Sequence, residues 1–255
     1  HAAAAMGLKA EPIVVSANEA QIDIALDPAL VSSSLLAAAI SERQCTRAAY
    51  DGRPVPTDHL RLIETAGQMQ DVHCLLLTDA AKMGAVLDYV IQGNTAQMRD
   101  PAFMAELKAW VRFNTADAIE ARDGLSARSS GQPSLPTWLA RPLLPFVLTA
   151  RSENDKHAKH IRSSAGVAVF YSAKSDRAHW VAAGRAYQRF ALEATALGLK
   201  HAFINQPVEV PNLRSQFAAF LGIGDQRPDL VVRFGYGTAM PRSLRRPIDS
   251  VIVQA

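Results

Sequence analysis

Apolar positions along this chain switch between the short continuous runs of buried strands and the three-to-four spacing of helices. "HAAAAMGLKA" reads as the last turns of a helix with Gly7 as its C-cap, and "EPIVV", Glu11 to Val15, as a short strand. "PALVSSSLLAAAISER", Pro28 to Arg43, has an apolar helical face entered through a Ser-rich turn. The "DGRPVP" stretch after it must turn, because Gly52 and two prolines cannot continue a helix. "TDHLRLIETAGQ" resumes as a helix with Thr57 as N-cap and Leu60, Ile63 and Ala66 on its apolar side. Val72 to Asp79, "VHCLLLTD", is a buried strand. Ala80 to Phe113 is helical in two pieces, with a corner at Arg99 to Pro101, since proline suits the first position of the second helix.

From Asn114 to Ser163 the texture changes to Ser, Gly and Pro, yet Trp138, Leu143, Leu144 and Phe146 are embedded in it. Long structureless loops are uncommon inside domains and often serve as lids or binding loops. A lid, a domain linker and a surface excursion packed on the core are the three readings. Beyond it, "AGVAVFYS", Ala165 to Ser172, is apolar enough for a central strand. The long helix "DRAHWVAAGRAYQRFALEATALGLK" carries Ala183, Gly184, Ala186, Ala191 and Ala194, small residues that let another backbone approach. "HAFINQPVEV" is a strand running into a turn, "NLRSQFAAFLGI" a helix and "DLVVRFGYG" a strong last strand. Strands separated by helices throughout predict a layered α+β or α/β fold.

Composition narrows the function classes. With 255 residues, 49% of them apolar and 20% charged, the chain is globular material for one large domain or two intimate ones. A formal charge of +3 is modest, and the arginines gather at Arg43–Arg53 and Arg242–Arg246 instead of forming the long basic stripe of a nucleic-acid binder. A small anion is the better partner, and no nucleic acid or membrane is expected. Cys45 and Cys74 lie in different elements without metal-ligand spacing, which points to a reducing, cytoplasmic compartment and to no structural zinc. His157 and His160 in "HAKH" have helical ligand spacing but no carboxylate at a matching offset, so no metal is assigned. The glycine signatures of dinucleotide folds, P-loops and serine-hydrolase elbows are missing.

"ISERQCTRAAYDGRPVP" holds the remaining chemistry. If extended, Arg43, Cys45 and Arg47 point the same way; if helical, Arg43 and Arg47 still share a face. Either arrangement suits a phosphate, whose charge-assisted hydrogen bonds contribute about 1.5–3 kcal/mol each. The plainer alternative is surface ion pairs worth under about 1 kcal/mol apiece. Cys45 is read as a small residue beside an anion pocket in preference to a nucleophile activated by its arginines.

The segment "ERQCTRAAYDGRPVPTDHLRLIETAG" resembles the opening of the FMN-dependent nitroreductase family. "HWVAAGRAYQRFALEATALGL" resembles that family's late core helix, and "VVRFGYG" with "RRPIDSVI" its last strand and basic tail. More narrowly, "DPAFMAELKAWVRF", "DGL", "NQPVEVPNLRSQF" and "FGYGTAMPRSLRRPIDSVI" are similar to the tandem-domain Acg-like branch, in which one chain holds two nitroreductase-like halves. The resemblance implies an α+β nitroreductase-like fold with a central mixed or antiparallel sheet. It also implies that residues 1–34 end a first half and that residues 35–255 form a second half, with a lid-like insertion at 114–163.

It implies one FMN as well. Arg43, Gln44, Cys45 and Arg47 would meet the phosphate and ribityl chain, Arg245 and Arg246 would approach the phosphate from the tail, and Asn205 and Gln206 would lie beside the ring. NAD(P)H would be the reductant and a nitro compound or quinone the acceptor, in a ping-pong cycle that demands no acid or base from the protein. Two features depart from the family: Cys45 replaces a hydroxyl donor, and the Pro-Ser-x-x-Asn segment of a first half is missing. The resemblance leaves three functions in play: a flavin oxidoreductase, a flavin-sequestering protein whose lid blocks turnover, and a cofactor-free interaction module. The assembly would be either a monomer of tandem halves or a homodimer.

Overall fold

A computed structural model describes residues 1–14, 21–32 and 35–252. A four-residue helix α1 (Ala2–Ala5) has Met6, not the expected Gly7, as its C-cap, and Gly7 follows it with a left-handed φ of +74°. Strand β1 (Leu8–Val14) begins earlier than the expected Glu11, and Val15 lies outside the described residues. It pairs antiparallel with β2 (Ile22–Pro28), an element absent from the expectations. Because the chain is a strand through Pro28, the helix expected from that residue is shorter: α2 spans Leu35–Glu42 and buries Ala39. Ser33 and Ser34 of that expectation are outside the described residues.

Helix α3 (Thr57–Gly67) is capped by Pro56, not Thr57; the proline's φ of −55° and ψ of 146° already suit the position before the first turn. Strand β3 (Val72–Leu77) leads to α4 (Ala80–Arg99), capped by the Asp79 carboxylate on Lys82 N–H. The Asp100 carboxylate caps α5 (Pro101–Trp110), so the corner falls where Pro101 predicts it.

The stretch from 114 to 163 is not a structureless loop. After β4 (Val111–Arg112) come α6 (Thr115–Ala121), β5 (Leu125–Ser126), α7 (Thr137–Val147) and α8 (Ala150–Arg162). Pro136 sits just ahead of the first turn of α7, whereas Pro142 and Pro145 lie inside the helix, where each withholds one backbone N–H from its ladder. Trp138 and Phe146 are about four-fifths exposed, so they do not anchor the excursion to the core.

Strands β6 (Gly166–Ser172), β7 (Lys200–Phe203) and β8 (Arg227–Gly235) join β3 in an antiparallel sheet of order β3-β6-β8-β7. The continuous apolar run of β6 is central, as its sequence predicts. Alternation divides the side chains between two cores. Ala168, Phe170, Val232 and Phe234 face α3 and α9 (Arg177–Ala196), whereas Val167, Val169 and Val231 face α4, α8 and α11 (Pro211–Leu221). Each fully buried Phe or Val contributes about 1.5–3 kcal/mol of burial. Ala183, Ala186, Ala191 and Ala194 of α9 are buried as expected, but Gly184 lies on the opposite, exposed side. The short helix α10 (Gln206–Glu209) follows β7 directly.

Candidate functional site

Helix α2 stops at Glu42, and the segment after it is extended, which settles the geometry the sequence leaves open. Cys45 bridges His201 in parallel at the outer edge of β7, and Thr46 N–H donates to the His201 carbonyl at 2.9 Å. Thr46 is fully buried while Arg47 is exposed. Cys45 Sγ lies 3.5 Å from the Tyr187 hydroxyl, which is 3.3 Å from His201 Nδ1. Burial lowers the His201 pKa to about 3, with Arg43 and Lys200 adding repulsion. Burial also raises the Tyr187 pKa, Cys45 raises it further, and Arg43 opposes them from nearby. Arg43 and Cys45 therefore gather around Tyr187, on a different group of contacts from Arg47.

Arg47 lines a cavity of about 280 Å³ walled by α4, α8, β7 and α10. Gln206, remote in sequence, lines the same cavity. Gln206 Nε2 lies 3.2 Å from His157 Nε2, while its Oε1 is buried without a partner. Neutral His157 accepts the amide N–H in that pairing; burial, the largest influence, pushes its pKa down and favours the neutral form. A Cβ at Gly93 of α4 would stand 2.6 Å from the Gln206 carbonyl, so glycine lets the two backbones close on this wall.

Arg233 is the residue that sequence reasoning missed. Strand alternation sends it to the same face as Val231, and it is 1% exposed. Its Nη2 donates to the carbonyls of Thr46 at 3.2 Å and Ala48 at 2.8 Å, and its guanidinium lies 4.2 Å from the Tyr50 ring centroid. These contacts lock the Arg43–Arg47 segment onto the sheet. Nη1 has no partner, and Arg233 lines the cavity. The signal in the sequence was an arginine inside "LVVRFG", where a charge needs a reason.

Lys156 and His160 of α8 complete this basic wall, with Glu153 as counter-charge 3.3 Å from Lys156 Nζ. Burial, then Arg233 and Lys156, lower the His160 pKa to about 4. The two histidines expected in a charged stretch therefore sit on a helix whose inner side faces the cavity.

The other expected residues are placed elsewhere. Gln44 Nε2 donates to the carbonyls of Met240 and Pro241, and Arg242 donates to the Ser41 carbonyl and pairs with Glu42. The tail thus returns to the end of α2, but Arg245 and Arg246 are exposed and do not line the cavity. Asn205 Oδ1 accepts from Val231 N–H at 2.8 Å, a bond that holds the turn after β7, and Asn205 is not on the cavity wall.

A layered α+β fold with an antiparallel central sheet, and a cavity at its β7 edge, define the class of protein. The sequence pattern described as "Nitroreductase family" matches residues 40–236, and the chain belongs to that family. It is 25% identical over 224 residues to "Putative NAD(P)H nitroreductase Rv3131" of Mycobacterium tuberculosis, covering 85% of this chain and 61% of that protein. The chain spans about three fifths of the length of the curated relatives it matches. The FMN-dependent nitroreductase NfnB from Mycobacterium smegmatis, solved in complex with NADPH, superposes with a TM-score of 0.55 at 14% identity, covering 87% of this chain and 98% of that one. A nitroreductase with bound FMN from Bacteroides fragilis gives 0.54 at 16%, covering 88% and 100%. At these identities the likeness is one of fold.

Proposed function

We propose that this chain holds FMN and is an NAD(P)H-dependent oxidoreductase for nitro compounds or quinones. The observation that carries the reading is that Arg47 and Gln206, both assigned to the flavin by family resemblance, line one cavity. The donor set fits a flavin ring: Gln206 Oε1 is an unused acceptor, and Arg47 and the unpartnered Nη1 of Arg233 are donors, complementary to the N–H and carbonyl groups along the ring's polar edge. A space of about 280 Å³ is small beside ordinary ligand pockets of roughly 300–1,000 Å³, so it suits the ring and leaves the phosphate outside. Arg43, Arg245 and Arg246 would meet the phosphate there once residues 35–255 are completed by a second nitroreductase-like unit, in the same polypeptide or in a second copy.

FMN, when bound, supplies the two-electron chemistry. The protein's part is electrostatic and geometric. Arg47 and Arg233 put positive charge where the reduced cofactor is negative. His157, by accepting from Gln206 Nε2, fixes which end of that amide faces the cavity. Leu125, Leu148 and Phe203 keep the opposing walls apolar. The Arg43→Ala, Arg47→Ala double variant is expected to purify colourless and the parent yellow; equal flavin content in both would remove these arginines from the site.

A second reading is favoured by the 114–163 excursion, which contributes Leu125, Ser130, Leu148 and the inner face of α8 to the cavity wall. As a lid, it would make the chain a flavin-sequestering protein with little turnover. Stopped-flow mixing with NAD(P)H separates the two: prompt bleaching of the flavin band supports the enzyme, and a persistent band supports storage.

A further inference from the structure

Helix α7 turns its apolar side to solvent. At about 3.6 residues per turn, Ala140 and Leu144 share one side of it, and Trp138, Pro142 and Phe146 share the opposite side. The first side is the inner one, with Ala140 buried and Leu144 half-buried. On the outer side Trp138 and Phe146 are flanked by Leu139 and Leu143, which are also exposed, and Val147 is 61% exposed. Arg141 is the one charged residue of the helix, and it too is exposed. The first turn is tied down: Asn114 Nδ2 donates to the Thr137 hydroxyl at 3.1 Å, and that hydroxyl donates to the Asp117 carboxylate. Surface helices ordinarily turn charge outward, and contiguous exposed apolar patches mark contact sites. Trp138 and Phe146 together leave on the order of 300 Å² of side-chain surface in water.

The charge around this face selects its partner. From Gly124 to Ser152 the sequence holds Arg128, Arg141 and Arg151, all exposed, and no acidic residue. The acids that bound the stretch, Asp123 and Glu153, are paired with Arg112 and Lys156. Aromatic and leucine side chains with basic neighbours suit a helix lying in the headgroup region of an anionic bilayer, its apolar face immersed by about 5–10 Å. Its 11 residues cannot span a bilayer, and no described helix is long and apolar enough to cross a membrane, but an interfacial helix has no need to. A second copy docking through the same face would bring like-charged arginines together, which makes a symmetric pair the poorer match. Modest net charge argues against a membrane partner, yet a bilayer senses local charge within about a Debye length, roughly 8–10 Å.

We infer that the outer face of α7 is a peripheral docking surface for an anionic lipid bilayer. This goes beyond the flavin reading, and its readout is binding alone. The test is cosedimentation of the protein with vesicles of phosphatidylcholine, and with vesicles of phosphatidylcholine and phosphatidylglycerol in equal parts, at low and high salt.

The expected result is at least roughly tenfold tighter binding to the anionic vesicles, weakened by salt. The Trp138→Ala, Phe146→Ala double variant should bind those vesicles at least roughly tenfold more weakly. Arg141→Gln should lose roughly fivefold on the anionic vesicles and nothing on the neutral ones. All three side chains are exposed, so urea unfolding of the variants should match the parent and separate lost docking from lost folding. No binding to the anionic vesicles, equal binding to the two compositions, or parent-like binding by the double variant overturns the inference. So does a parent dimer in sedimentation velocity that the double variant dissolves, because the face would then belong to a second copy. A yellow protein that ignores vesicles sinks this inference alone, and a colourless one that binds them sinks the flavin reading alone.

Discussion

Strand β8 and the tail that follows it carry arginines with opposite fates. Arg233 is held by two backbone carbonyls and an aromatic ring, at the wall of a cavity. Arg245 and Arg246 are exposed, in a segment that hydrogen bonds tie back near Met240–Arg242. Both regions are basic, but the Arg233 guanidinium is positioned on a cavity wall before any ligand arrives, whereas Arg245 and Arg246 are exposed. A pre-positioned group costs a ligand little ordering entropy, whereas a solvated one must be immobilised on binding. The lesson is that arginine clustering in sequence marks a basic region, while strand register decides which arginine is aimed.

The sharpest way to break this comparison is to remove the buried member. Arg233→Met leaves the Ala48 carbonyl without its donor and the Thr46 carbonyl with the Tyr50 hydroxyl alone, and should cost about 2–5 kcal/mol in urea unfolding. Next comes Gly93→Ala, which forces a methyl against the Gln206 backbone. It should cost about 1–3 kcal/mol and lower flavin content, because Gln206 must move. A loss of stability without loss of flavin would separate the cavity from flavin binding.

A smaller effect is expected from pH. The folded His201 pKa, about 3, lies below its ordinary value of 6.5, so the unfolded chain binds a proton that the folded chain refuses. Stability contributed by neutral His201 is complete above pH 6.5 and is lost as the pH falls toward 3. His160, lowered to about 4, acts in the same direction. Unfolding free energies from urea titrations at pH 7.5 and 5 should differ by about 2 kcal/mol from His201 alone, and His201→Asn should reduce that difference. Smallest of all, Arg245→Ala should stay within about 0.5 kcal/mol of the parent in stability. Slightly larger than that, Gly184→Ala, which adds a methyl in open space on a helix, should stabilise by about 0.5–1 kcal/mol.

Much of the fold was legible because local chemistry and tertiary packing agree. The Asp100–Pro101 corner, the apolar run of β6 and the alanine face of α9 each have one physical solution. Strand β2 was missed although its apolar and polar residues alternate, since all of it is exposed and no burial reinforces the pattern. The helices of the excursion were not legible because Pro142 and Pro145, inside α7, look the same in sequence as prolines in loops. For the site, Arg47 was singled out by its spacing and Gln206 through family resemblance, and the structure brings them to one cavity. Arg233, His157 and His160 required knowing which face of β8 and which side of α8 turn inward, and that depends on contacts between segments far apart in the chain.

Titration of FMN into protein stripped of its bound flavin, followed by quenching of the flavin's fluorescence, tests most directly whether this cavity is the ligand site. The account predicts saturable quenching by the parent and at least roughly tenfold weaker binding in both Arg47→Ala and Gln206→Ala, each removing one polar group from the cavity wall. Parent-like titration curves in both variants would contradict it.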